Sequence, residues 1–250
     1  LDADAREPEA SARTTAGALV VAGCDPALSV AETMLGRPGS AALVALDATT
    51  GSALGSLLAG GVHAAVVHGR PGHLPRPPVD VIRLQLASWQ VGLGLAPGLK
   101  ARSLAACLEQ RVAIVQREET AASQQALRRA VRALGLELPA GAVASGHAAA
   151  ARAAAVLGCA AISTEGAAQA HGLNFVPLEL HTVEIWLGRR HERHPGLEQL
   201  GNLLSSATFA AGVAALGGYD LTGCGSLLTA SPPRQSAVGA AGGGRSRRAR

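Results

Sequence analysis

Apolar and polar positions alternate along this chain in short blocks that switch between strand spacing and helix spacing. Ala18–Ala22 is an apolar run closed by Gly23, and Pro26 opens a helical stretch that reaches Leu35. Proline suits the first turn of a helix because its missing N–H would have no intrahelical partner there. Ala41–Leu46 reads as a second strand, Thr-Thr-Gly-Ser as the start of a helix through Leu58, and Val62–Val67 as a third strand. Beyond the proline-rich loop Arg70–Pro78, Val81–Leu86 and Val91–Ala96 both have strand-like apolar patterns.

A second set follows. Leu104–Leu108 is a short helix, Val112–Val115 a strand, and Thr120–Leu134 a helix stopped by Gly135. His147–Leu157 is helical, Ala160–Ile162 extended, and Ala167–His171 a helix ended by Gly172. Phe175–Leu178 and Val183–Leu187 return as strands, and two helices cover Pro195–Ser205 and Thr208–Leu216. Repeated strand–helix alternation predicts an α/β protein with parallel sheets flanked by helices. The count suits two small sheets better than one continuous sheet.

The two ends differ from this pattern. Residues 1–16 are polar and charged without apolar periodicity, which predicts a linker. Its Leu start suits a piece of a longer polypeptide. Residues 229–250 are rich in Pro, Gly and Ser and then basic, which predicts a disordered basic tail. Five arginines beyond Ala230 (Arg234, Arg245, Arg247, Arg248 and Arg250) more than account for the net charge of +4. The folded part is therefore no electrostatic platform for nucleic acid. No apolar run reaches the ~18 residues that span a bilayer, so no membrane partner is expected.

Composition narrows the chemistry. With 48% hydrophobic residues but only 2% aromatic ones, the core of this 250-residue chain must be built mostly from Ala, Val and Leu. The four cysteines (Cys24, Cys107, Cys159, Cys224) are scattered with no C-x-x-C pair. They predict free thiols in a reducing cytoplasm rather than a zinc knuckle. His191 and His194 have H-x-x-H spacing without a third ligand nearby, and His63, His68 and His73 lie on a strand and the loop after it without evident partners. No metal site or cofactor is expected on these grounds. Nucleophile elbows, phosphate-binding glycine loops and zinc-protease motifs are missing too, so the expectation is a binding domain and not an enzyme.

In open parallel sheets, ligands bind outside the carboxyl ends of the strands. Four strand-to-helix turns here carry small polar side chains. The residues they offer are Cys24 and Asp25, Thr50 and Ser52, Thr120 and Ser123, and Ser163 and Thr164. Each helix start presents unpaired N–H groups and a partial positive charge, so several aimed at one cleft could hold an oxyanion. Ser, Thr and Asp are also the preferred helix N-caps, so each turn alone has a purely structural alternative.

With these turns in place, the chain resembles the periplasmic-binding-protein-like substrate-binding domain found fused to helix-turn-helix segments and to molybdopterin-biosynthesis proteins. The resemblance runs from about Ala18 to Ser226. It is carried by VVAGCDPAL, ATTGSALGSLLAGGVHAAVVH, WQVGLGLAPG, STEGAAQAHGLNFVPL with HTVEIWL, and FAAGVAALGGYDLTGCG, in that order. It implies a two-lobed type 2 fold, each lobe a mostly parallel sheet flanked by helices. Lobe 1 would comprise residues 17–98 and 181–228 and lobe 2 residues 99–180, with crossings near Ala96–Lys100 and Leu178–Val183. Relatives include molybdate- and tungstate-binding proteins, so the implied ligand is an oxyanion or a molybdopterin-like compound. The implied role is the cytoplasmic sensor of a transcription regulator, touching DNA only through an upstream segment and acting as a homodimer. An exported solute-binding protein of an oxyanion transporter is the alternative. One departure matters: where such domains carry R-G-S-G-T-R, this chain has Glu119-Thr120-Ala121-Ala122-Ser123-Gln124, with Arg117 nearby.

Overall fold

The computed structural model describes residues 17–36 and 43–228. The linker expected over 1–16, the tail expected over 229–250 and the start of the second strand at Ala41 lie outside the described residues. Elements run in the order β1 (Leu19–Ala22), α1 (Ala27–Leu35), β2 (Leu43–Leu46), α2 (Thr50–Ala59), β3 (Ala64–Gly69) and β4 (Val81–Leu95). There follow α3 (Leu104–Glu109), β5 (Ile114–Val115), α4 (Ala122–Ala133), α5 (His147–Leu157), β6 (Ala160–Thr164) and α6 (Glu165–Ala170). The last are β7 (Asn174–Gly188), α7 (Pro195–Leu204), α8 (Ala207–Ala214), β8 (Tyr219–Asp220) and β9 (Leu227–Leu228).

The parallel pairings fall into two groups, β2-β1-β3 and β5-β6, each with helices packed on it. Two expectations need correcting. The separate strands predicted at Val81–Leu86 and Val91–Ala96 are one strand of 15 residues, β4, and those at Phe175–Leu178 and Val183–Leu187 are likewise one, β7. β4 and β7 pair antiparallel along nearly their whole length and join both groups into one hydrogen-bonded sheet, β2-β1-β3-β7-β4-β6-β5. The predicted breaks were polar stretches, Ala87–Gln90 and Glu179–Thr182. The ladder runs through them, with Trp89 Nε1 donating to Asp25 in the first, and Thr182 accepting from Gln85 and His181 bonded to Glu179 in the second.

Close approach decides one position in this ladder. The register shifts between Val91 and Gly92, where Gly92 faces Pro177. A Cβ on Gly92 would stand 2.1 Å from the Val176 carbonyl oxygen and 2.9 Å from Pro177 Cα. Proline cannot donate to a ladder, so its place beside an irregular register is the expected one. Nearby, Arg83 on β4 grips Glu184 on β7 through two bonds of 2.7 Å, and Trp186 Nε1 donates to the same carboxylate. The buried charge is thereby paired and hydrogen-bonded.

The core follows the composition. One large cluster packs Leu19, Val21, Leu28, Leu86, Leu93, Ile162, Ile185 and Phe209. A second is largely alanine, from Ala150, Ala151 and Ala154 on α5 to Ala161 and Ala168. The small side chains let α5 and α6 sit close to β6.

Candidate functional site

Thr49 caps α2 by accepting the Ser52 N–H at 3.2 Å. That leaves Thr50 and Gly51 at the helix start lining a cleft of about 290 Å3. On the same side are His68 and Gly69 at the end of β3. Across from them, Thr120, Ala122, Gln125 and Arg129 come from the start and outer face of α4. Two helix N-termini, α2 and α4, thus meet at one cleft, with the partial positive charge each carries.

Behind the cleft lies a buried polar cluster. Cys24 from the turn after β1, His68 from β3 and His147 from the start of α5 place one potential ligand atom each within 4.8 Å of one another. Cys24 Sγ is 3.7 Å from His68 Nε2. His68 Nδ1 lies 3.2 Å from His181 Nδ1, and His181 Nε2 lies 2.9 Å from Glu179 Oε1. Trp89 lies against all three imidazoles, tilted over His68 and His181 and edge-on to His147, with ring centroids 4.8 to 5.7 Å away.

Order along this chain of bonds fixes the tautomers. Burial is the largest cause holding His68 down to about 3 and His181 below the usual histidine range, so both are neutral at pH 7. The Glu179 carboxylate can only accept, so His181 Nε2–H donates to it. His181 Nδ1 is then an acceptor, His68 Nδ1–H donates to it, and His68 Nε2 is left with its lone pair facing Cys24. Burial pushes the Cys24 thiol up to about 11, opposed by the charge of Arg117. His147, also held well below its usual range by burial and then Arg117, has no hydrogen-bond partner at either ring nitrogen among the described residues.

Three more buried polar atoms lack partners among the described residues: Thr50 Oγ1, Ser123 Oγ and Arg117 Nη1. Arg117 is only 2% exposed. Its Nε bonds Glu118 at 2.9 Å, and its charge acts on Cys24, His68 and His147. Buried polar groups are ordinarily satisfied, so each of these idle atoms needs a reason.

The eight residues predicted from the turns divide by position. Thr50 and Thr120 line the cleft, Cys24 sits in the buried cluster, and Ser123 is fully buried with a free hydroxyl. Ser163 donates to the His147 carbonyl at 3.0 Å and so braces the start of α5. Ser52 is exposed and engaged with Thr49, and Thr164 caps α6. Asp25 turns away from the cleft: its oxygens accept from Ala27 N–H, Trp89 Nε1–H and Tyr219 O–H at 2.8 to 2.9 Å. In the altered segment, Glu119 pairs with Arg128 on the surface, while Gln124 accepts from Arg117 N–H and donates to Gln116.

Sequence reasoning missed His68, His147, His181, Trp89 and Arg129. For His68 the signal existed, because it stands at the carboxyl end of a strand. His147 begins a helix that follows no regular strand, only an isolated bridge at Val143, so the strand-end rule did not reach it.

A family model described as PBP superfamily domain matches residues 33–205. No curated protein matches in sequence. A putative phosphate transporter substrate-binding protein from Clostridium perfringens, with bound phosphate, is similar in structure. Its TM-score is 0.61 at 9% identity, over 81% of this chain and 99% of that one. The tungstate ABC transporter structure from Geobacter sulfurreducens has a TM-score of 0.54 at 13% identity, over 80% and 93%. The effector-binding domain of QuiR in complex with shikimate has a TM-score of 0.54 at 11% identity, over 70% and 88%. At these identities the likeness concerns the fold, which is the two-lobed type 2 periplasmic-binding-protein fold.

Proposed function

This chain belongs to the PBP superfamily, and on that premise we propose that it binds a small anion in the cleft between α2 and α4 and does no chemistry on it. The observation that carries this reading is Arg117. A guanidinium 2% exposed keeps Nη1 without a partner among the described residues, and the hydroxyls of Thr50 and Ser123, in the first turns of α2 and α4, are buried and likewise unpartnered among them. Three donors of this kind, with the starts of α2 and α4, form a shell for an oxyanion or a carboxylate. Tetrahedral oxyanions such as phosphate, molybdate or tungstate fit the donor set, as does the carboxylate of a larger molecule.

The chain then serves as the sensor part of a cytoplasmic transcription regulator, as a homodimer whose DNA contact is made by a segment outside this chain. The likeness to the QuiR effector-binding domain supports this role. A second reading, an exported solute-binding protein, is supported by the likeness to the phosphate and tungstate proteins over nearly their whole lengths. Sequencing the intact polypeptide from its native cells separates the two: a DNA-binding segment selects the first, a cleaved leader the second.

Titration calorimetry with phosphate, sulfate, molybdate, tungstate and shikimate, each alone, tests the binding itself. One-to-one binding of at least one of them, weakened tenfold or more (about 1.4 kcal/mol) by Arg117→Gln, is the expected result. If none binds, or if Arg117→Gln binds as well as the parent, the anion reading falls.

A further inference from the structure

The geometry points to a second site, distinct from the anion shell: Cys24, His68 and His147 form a binding site for a zinc-like transition-metal ion, with one coordination position open. Three observations carry it. The ligand atoms of the three residues already lie within 4.8 Å of one another, and Sγ and Nε2 of the first two are 3.7 Å apart. Two ligands on a tetrahedral zinc, at about 2.3 Å for sulfur and 2.0 Å for nitrogen, stand roughly 3.5 Å apart. Only a small inward turn of one ring closes the set.

That ring is His147: it is 4% exposed, yet neither nitrogen is held by a hydrogen bond among the described residues. A buried imidazole with two idle nitrogens is costly unless something engages it. His68 is held the opposite way. Its Nδ1 is fixed by His181, which is fixed by Glu179, so its free Nε2 faces the cysteine. An outer-shell acceptor for the second ring N–H orients a metal-bound imidazole, and here His181, backed by Glu179, plays that part for His68. Glu179 is held in turn by Arg129 through two bonds of 2.6 and 3.0 Å.

The donor set selects the ion. One thiolate and two neutral imidazoles suit zinc, cobalt or copper and disfavour magnesium or calcium, which take oxygen ligands. Three protein ligands leave a fourth position for water or an exchangeable donor. Arg117 brings a positive charge close by, offset by the Cys24 thiolate and by its own pairing with Glu118. As the sulfur–metal bond forms, the thiol proton leaves to solvent, so each ion bound releases one proton. The other histidine group, His63, His191 and His194, is no rival: a ring nitrogen of each is engaged by Val20 N–H, Arg190 Nε or Gly196 N–H.

Cobalt(II) is the probe, titrated into the chelator-stripped full chain without any anionic ligand and followed by absorption. Expected are one equivalent bound, visible bands of tetrahedral intensity, a near-ultraviolet thiolate-to-cobalt band, and displacement of all of these by zinc. Cys24→Ser should abolish the near-ultraviolet band, and His147→Ala should weaken binding tenfold or more. Cys224→Ser should bind as the parent does, and circular dichroism would show that each variant is folded. Absence of stoichiometric binding overturns the proposal. So does a thiolate band that survives Cys24→Ser, or a His147→Ala variant with parental affinity. Because no anion is present, failure here leaves the anion reading standing, and failure to bind anions leaves this one standing.

Discussion

Tyr219 donates its hydroxyl hydrogen to Asp25 Oδ1 at 2.8 Å, tying β8 to the turn after the first strand across 194 residues. Trp89 Nε1 donates to the other oxygen of the same carboxylate at 2.9 Å. The turn that presents Cys24 is therefore held from β4 and from β8, two strands paired with each other.

Removing one of these donors should cost little and removing their acceptor a good deal. Tyr219→Phe loses one hydrogen bond, about 1 kcal/mol. Asp25→Ala strands the buried Trp89 N–H and the Tyr219 hydroxyl and should cost about 3 kcal/mol or more. The double variant should cost less than the two together, since the second change removes a partner already lost. Urea unfolding of all four proteins measures the coupling. Strict additivity would mean that the contact contributes nothing.

Gly92 and Gly55 should respond in opposite directions to the same substitution. An alanine Cβ at Gly92 meets the Val176 carbonyl oxygen at 2.1 Å, a backbone atom that cannot step aside. Gly92→Ala should cost about 3 kcal/mol or more. At Gly55, exposed in the middle of α2, a Cβ meets nothing within 4 Å. Gly55→Ala should stabilise by about 0.5–1 kcal/mol through helix propensity. Thermal midpoints moving the same way for both would refute the close approach of β4 and β7.

These contrasts show what sequence could and could not supply. Helices and short strands were legible because apolar spacing alone sets them, as for α1, α5 and β1. The union of β4 was not, because Ala87–Gln90 interrupts the apolar pattern, and what carries the strand through is pairing with β7, far away in the sequence. The same limit governs the site. Thr50 and Thr120 could be found because strand ends face the cleft, whereas nothing local distinguishes Thr49, which caps α2, from Thr50, which does not. Asp25 looked like a contact because it stands in the right turn, but Trp89 and Tyr219 decide where its carboxylate points. His68 and His147 each lack meaning until the fold brings them beside Cys24.

Stability should fall on acidification through His63. Its Nδ1 accepts the Val20 N–H at 2.8 Å, a bond the protonated ring cannot make. Burial, and then the charges of His191, His194 and Arg190, hold its pKa down to about 4, against 6.5 for an ordinary histidine. Between those values the unfolded chain binds the extra proton and the folded chain does not. The contribution is thus complete above pH 6.5 and is lost as the pH falls toward 4. Because the ring is partly exposed, solvent screening keeps the effect modest. His63→Asn can still accept the Val20 N–H through its amide oxygen. Its midpoint difference between pH 7.5 and pH 5 should therefore be smaller than the parent's; equal differences would remove His63 from the account.

Ser123 should show stability and binding moving in opposite directions. Its hydroxyl is fully buried and unpartnered, so Ser123→Ala removes an unsatisfied polar group and should raise the stability of the ligand-free chain by about 1 kcal/mol. If that hydroxyl awaits an anion, the same variant should bind it about 10-fold or more weakly, the loss of one hydrogen bond to a charged group. Thr50→Val should weaken binding to a similar degree, since Thr50 Oγ1 is buried and idle in the same way. Ser52→Ala, at an exposed hydroxyl engaged only with Thr49, should leave binding within about threefold. A purely structural Ser123 would lose stability on substitution and keep its affinity. Gained stability with lost affinity is the signature of a residue left unsatisfied so that a ligand can satisfy it. Calorimetry and a melting curve on one variant therefore decide whether the orphaned donors Thr50, Ser123 and Arg117 form a binding shell.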